Sequence, residues 1–207
     1  NLAVFASKVG ESSRADALLG KQLNIITDQA EMDVVKSVWA EILLLEHQAP
    51  KVLEILGMNV GKDHIYHPQH SELLVKSLSE MARWSDLKET LQAIQSQMID
   101  EDNRFKSISE RELPEKLWSQ AATLAAVEKD YDTARMYWRK LESVKKDPRL
   151  SAYMLEITNL YIQEQNYTAA RELLENLVQQ YPDDPMVYKT YATYYQKVHD
   201  STQWEAS

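Results

Sequence analysis

Cysteine is absent from the 207-residue chain, which excludes disulfide frameworks, thiolate metal sites and cysteine nucleophiles in one step. Glycine and proline are scarce, at 4 and 6 residues. A β-rich fold would lack the residues its tight turns need. No stretch approaches the roughly 18 consecutive apolar residues of a membrane span. The first residues, NLAVFASKVG, show neither an initiator Met nor a signal-peptide core with a cleavage site, so the expectation is a soluble fragment of something longer. Lys and Arg, 23 together, are outnumbered by 32 Asp and Glu for a net charge of -9. Phosphate-backbone binding needs concentrated basic residues, so nucleic acid is not an expected partner. No Gly-rich phosphate loop, nucleophile elbow or zinc motif occurs. What remains is 44% hydrophobic content, enough for a substantial core, and it points to an all-α protein.

Residues 151–184 show how that core is organised. Met154, Ile157, Thr158 and Tyr161 recur on one helical face, and Ala170, Leu173, Leu174, Leu177, Val178 and Tyr181 on another. Apolar residues at this spacing mark two amphipathic helices. Only residues 163–167 separate them, which leaves antiparallel packing, and Pro182 with Asp183 and Asp184 stops the second helix. Tyr161, Tyr167, Ala170, Leu174 and Pro182 fall at the spacing of the tetratricopeptide repeat (TPR), whose period is about 34 residues. The stretch resembles that repeat, which implies that Ala170 lets its two helices approach closely. Tyr188, Tyr191, Ala192 and Tyr195 then begin the pattern again.

The same design runs through the chain. Hairpins are expected at about 1–30, 32–57, 68–100, 115–146 and 151–184, with a partial one at 185–198. In the first, Gly10 ends a short apolar piece and Ser12 or Ser13 caps the next helix. In the second, Val35, Val38, Trp39, Ile42 and Leu45 face Val52, Leu53, Ile55 and Leu56, with Pro50 at a helix start. Leu74 and Leu78 pair with Leu87 and Leu91, and Ala121, Ala122 and Ala125 with Ala134, Trp138 and Leu141. The turn aromatics Trp84, Tyr131 and Tyr167 give periods of 131 − 84 = 47 and 167 − 131 = 36. The longer period places a polar insertion at about 97–114, either a solvated loop or a partner-docking one. The whole, 1–207, is expected to form one domain, a right-handed superhelical solenoid of TPR-like hairpins.

Across the chain, His67-Pro68 opens a helix that ends in ARWSDL. Trp118 follows a polar stretch, Trp138 precedes a basic run (Arg139, Lys140, Lys145, Lys146), and a hairpin closes in QQYPDD. This order of landmarks, over roughly 30–184, resembles the C-terminal domain of the proteobacterial HemY family, a membrane-anchored TPR protein of late haem biosynthesis. The resemblance implies a non-enzymatic scaffold for protein–protein interaction at the bacterial inner membrane. It would sit on the cytoplasmic side, or alternatively the periplasmic one, with an N-terminal anchor outside this fragment. Implied partners are enzymes such as ferrochelatase or coproporphyrinogen oxidase. Family members continue with further repeats where this chain stops. Two other readings stay open, a general TPR adaptor in an envelope or secretion assembly and a haem- or porphyrin-binding carrier.

Candidate site residues are few. His64, His67 and His70, spaced by three with Asp63 and Tyr66 among them, could ligate a haem iron or a metal. Pro68 argues against a continuous helix there, and exposed loop histidines are the plainer reading. Beyond haem no cofactor is expected. Glu110, Glu112 and Glu115 near Arg111 read as a charged helix start, and no carboxylate pair suggests acid–base catalysis. The 5 Trp and 11 Tyr mostly sit at hairpin positions, where they pack repeats together. If the hairpins stack, the outward residues of each first helix line a concave surface. That row is Glu72, Lys76 and Ser79, then Ser119 and Thr123, then Leu155, Asn159 and Gln163, then Lys189 and Thr193. A mixed polar row suits a peptide or partner helix held by several modest contacts.

Overall fold

The computed structural model describes residues 12–56, 68–97, 105–107, 111–144 and 150–205. Its regular elements there are all helical: α1 (Ser12–Leu23), α2 (Gln29–Leu45), α3 (Ala49–Leu56), α4 (Pro68–Glu80), α5 (Trp84–Gln97), a 3-10 turn (Glu115–Leu117), α6 (Trp118–Val127), α7 (Tyr131–Val144), α8 (Leu150–Gln163), α9 (Tyr167–Gln180) and α10 (Pro185–Glu205). The chain divides into two compact units, 1–113 and 114–207. In the first, α2 packs on α1, α3 and α4, and α4 also on α3 and α5. In the second, α7 packs on α6 and α8, and α9 on α8 and α10, while α8 also meets α10 directly.

Four pairs, α2/α3, α4/α5, α6/α7 and α8/α9, are joined by turns of three residues, and the four turns share one conformation. His47, Ala82, Lys129 and Gln165 take φ of 57°, 54°, 62° and 61°. In each turn the next residue's N–H bonds the carbonyl five before it, as Gln48 N–H to Leu43 O at 2.8 Å and Asn166 N–H to Tyr161 O at 2.8 Å. The left-handed residue's own N–H bonds the carbonyl three before it, as Ala82 N–H to Ser79 O at 3.0 Å and Lys129 N–H to Ala126 O at 3.1 Å. This is the Schellman closure, which satisfies the last carbonyls of a helix. Glycine normally fills the left-handed position, and none does so here. Asp130 and Asn166 then cap the following helices, accepting from the N–H groups of Thr133 at 3.2 Å and Ala169 at 3.3 Å.

Counted from each left-handed residue, the core repeats. Seven residues before it stand Ala40, Val75, Ala122 and Thr158, and five after it Val52, Leu87, Ala134 and Ala170, all 0% exposed. The alanines and the short β-branched residues let the paired helices come close. Longer side chains close the ends, as where Leu174 and Tyr194 meet Ala170. Fully enclosing a leucine such as Leu87 or Leu174 contributes about 2 kcal/mol.

The left-handed residues are spaced 35, 47 and 36 apart (82 − 47, 129 − 82, 165 − 129). The extra length falls between α5 and the 3-10 turn. There the Gln95 side chain donates to Arg111 O and Arg111 Nη1 donates to Ser96 O at 2.6 Å, which ties the returning strand of chain to the last turns of α5. Pro68 opens α4, because the first helical position has no use for the N–H that proline lacks.

Candidate functional site

His70, in the first turns of α4, is only 5% exposed, and its Nε2 lies 3.3 Å from Asp33 O on α2. The expected solvent-exposed loop does not include it. It stands twelve residues before Ala82, where the α2 and α6 hairpins hold Val35 and Leu117, at 9% and 0% exposure. The imidazole fills a packing position, and ligation through Nε2 would require it to leave both the core and the Asp33 carbonyl. His64 and His67 lie outside the described residues. Among the described residues no three His, Asp or Glu side chains stand together as a metal site.

The expected row belongs to two units, Glu72, Lys76 and Ser79 in the first and the others in the second. Lys76 Nζ pairs with Glu72 Oε1 at 2.5 Å, one turn back on α4. Thr123 Oγ1 donates to Ser119 O at 2.9 Å and Thr193 Oγ1 to Lys189 O at 3.1 Å, so both hydroxyls fold back onto their own helices. Asn159 donates to Glu156. Gln163, Lys189 and Thr193 are exposed, and Asn159 is half-buried. Leu155 departs from the expectation. It is 6% exposed, packed with Leu177 and Val187, because α10 lies against α8 and covers that position.

Within the second unit a different surface opens. A cavity of about 310 Å³ lies between α7 and α9, with α8 as its floor. Met154, Ile157, Tyr161 and Leu173 give it apolar walls, and Ala169 leaves room at one side. Arg139 and Glu142 stand on the α7 rim, Glu172 and Asn176 on the α9 rim. Arg139 Nη2 reaches Tyr161 Oη at 3.4 Å. Reading the sequence for amphipathic faces assigned Met154, Ile157, Tyr161 and Leu173 to packing and missed that they are shared by three helices. Charged residues on both flanking helices, Glu142 and Glu172, were the signal that could have marked the opening.

Beside this cavity Arg135 fixes α7 to the end of α8. Its side chain is 10% exposed and meets Glu164 at 2.6 Å and Asp132 at 2.5 Å, with the guanidinium 4.7 Å above the Tyr161 ring. Burial works against the charge, but hydrogen bonds to Glu164 and Asp132 outweigh it and hold the group above its ordinary value. The Tyr161 ring that borders the cavity is thereby held from one face. On α8, burial raises the Glu156 carboxyl above its ordinary value, and the Asn159 hydrogen bond offsets this in part. Its side chain also opens to water, which screens the effect.

At the end of the unit Tyr167, Tyr191, Tyr194 and Tyr195 form a chain of edge and tilted contacts, with centroids 5.1 to 6.2 Å apart. Tyr194 is buried and Tyr195 is 60% exposed. No described helix is long and apolar enough to cross a membrane. No protein-family model matches the chain, and neither a curated protein nor a solved structure matches it.

Proposed function

We propose that the chain is a non-enzymatic scaffold built as a right-handed superhelical stack of TPR-like hairpins, binding other proteins on the surfaces between its helices. The observation that supports this most is the recurrence of one turn and one enclosed core pattern in four hairpins. A unit that cannot bury its apolar face alone, repeated in tandem, makes an extended surface suited to protein partners. The identity of those partners rests on the landmark order that resembles HemY. On that reading they are enzymes that complete protohaem, met at the bacterial inner membrane on its cytoplasmic side.

Sedimentation velocity of the purified chain with purified ferrochelatase, and separately with coproporphyrinogen oxidase, tests the proposal. A faster-sedimenting complex, weakened by Lys189→Glu, is the expected result. Absence of a complex with both enzymes discards the haem partners. Haem titration followed at the Soret band separates a carrier from a scaffold, because a scaffold leaves the band as it is in free haem.

A further inference from the structure

We infer that the cavity between α7 and α9 is a docking groove for a basic peptide segment that inserts a large apolar side chain. The inference rests on the reading of the chain as a protein-binding scaffold and is independent of which enzymes it serves. Met154, Tyr161 and Leu173 are half-buried and Ile157 is nearly enclosed, so the floor offers apolar surface that α7 and α9 leave uncovered. A volume of about 310 Å³ lies at the small end of ligand sites, which span roughly 300–1,000 Å³. It suits one or two side chains rather than a whole helix.

Charge selects the rest of the occupant. Glu142 and Glu172 stand on opposite rims, and neither takes part in any of the ion pairs that Arg135 and Arg171 make with Asp132, Glu164 and Glu175. Arg139, the cation at the groove, is turned toward Tyr161 Oη. A Lys or Arg on either side of an inserted Leu or Phe would meet one of these carboxylates, and charge-assisted contacts of this kind hold and orient a chain. The net charge of -9 favours the approach of such a segment over an acidic one.

The test uses the full chain and three labelled synthetic peptides of equal length. One alternates Lys with Leu and Phe, a second replaces Lys by Glu, and a third replaces Leu and Phe by Ser. Fluorescence anisotropy gives affinities, and amide chemical shifts locate the contact. The Lys peptide is expected to bind and to move signals of Ile157, Tyr161 and Leu173. Glu172→Lys should weaken it about tenfold, the loss of one charge-assisted contact. Ala169→Trp should abolish binding by filling the groove while leaving helicity, read by circular dichroism, unchanged. Equal binding of the Glu peptide, binding of the Ser peptide, or indifference to both substitutions overturns the inference. Shifts confined to α4 or α10 overturn it too, while leaving the scaffold reading intact. Concentration-dependent self-association that moves the same groove signals would show the occupant to be a second copy and refute the basic segment. If no peptide moves any signal, the groove is discarded and the scaffold reading stands or falls on the enzyme titrations.

Discussion

Replacing Ala82 with glycine is expected to stabilise the protein by about 1 kcal/mol, although alanine is the better residue almost anywhere else in a helical chain. Ala82 is an exposed turn residue at φ 54°. A Cβ in the left-handed region costs roughly 1–2 kcal/mol, which glycine avoids. The greater freedom of glycine in the unfolded chain returns about 0.4–1 kcal/mol. The bonds from Ala82 N–H to Ser79 O and from Arg83 N–H to Leu78 O, 3.0 and 2.9 Å, are backbone bonds and survive the change. No buried contact is lost, since the methyl is exposed. The same substitution at Ala134, 0% exposed inside α7, should have the opposite sign. It loses about 1 kcal/mol of helix propensity, and the void beside Leu160 and Ala125 adds to that.

Urea unfolding followed by far-ultraviolet circular dichroism decides the matter. Ala82→Gly should raise the midpoint by about 0.5 M at an unchanged slope, given slopes of about 1–3 kcal/mol per M. Ala82→Val, which puts a β-branched residue in the same region, should lower it. An unchanged or lowered midpoint for Ala82→Gly would refute the left-handed turn at this position, and with it the single turn plan that joins the four hairpins. Lys129→Gly and Gln165→Gly should move in the same direction and add to Ala82→Gly, because the sites share no partners.

Thr90 is 0% exposed, and its Oγ1 has no hydrogen-bond partner. Thr90→Val should therefore stabilise by about 1 kcal/mol, removing a buried hydroxyl at nearly constant shape, and thermal unfolding will show it as a raised Tm. Arg135→Gln should cost about 2 kcal/mol, since it removes a buried guanidinium from two carboxylates and from the Tyr161 ring; a midpoint equal to that of the parent would show the cluster to be incidental. Glu156, whose carboxyl is raised by burial, favours the folded state while protonated. That contribution is present below its unfolded value and is lost as pH rises through the folded one. Glu156→Gln should thus raise Tm at pH 7 and leave it unchanged at pH 3, and an equal gain at both would refute the burial effect.

The helices were legible because their signal is periodic. Val35, Ile42, Leu74, Leu78, Ala122, Ala134, Leu174 and Leu177 recur at helical spacing, and all are buried. The places of the turns before Trp84, Tyr131 and Tyr167 were legible, but their conformation was not, because the residues that bend them, His47, Ala82, Lys129 and Gln165, carry no turn signature. What holds them left-handed is the pair of helices on either side, a tertiary constraint that overrides local preference. Leu155 was misplaced because its exposure depends on α10, more than thirty positions later in the chain.

The repeat register supplies what the periodicity lacks, a way to separate a residue that packs from one that is free to bind. His70 stands where Val35 and Leu117 stand in other hairpins, so its burial follows from its place in the repeat and needs no ligand to explain it. Eight residues after the turn the register runs Ile55, Thr90, Tyr137 and Leu173. Three of these positions pack or half-pack, and Thr90 alone is sealed in with an unsatisfied hydroxyl. Leu173, at the same place in α9, instead faces the cavity over α8. One position of one repeat plan is thus sealed at Thr90 and only half-buried at Ile55, Tyr137 and Leu173. Ala169, which lines the opening, stands four residues after its turn, where the other hairpins carry Lys51, Asp86 and Thr133. The residue beside the groove is thus smaller in this hairpin than in the other three.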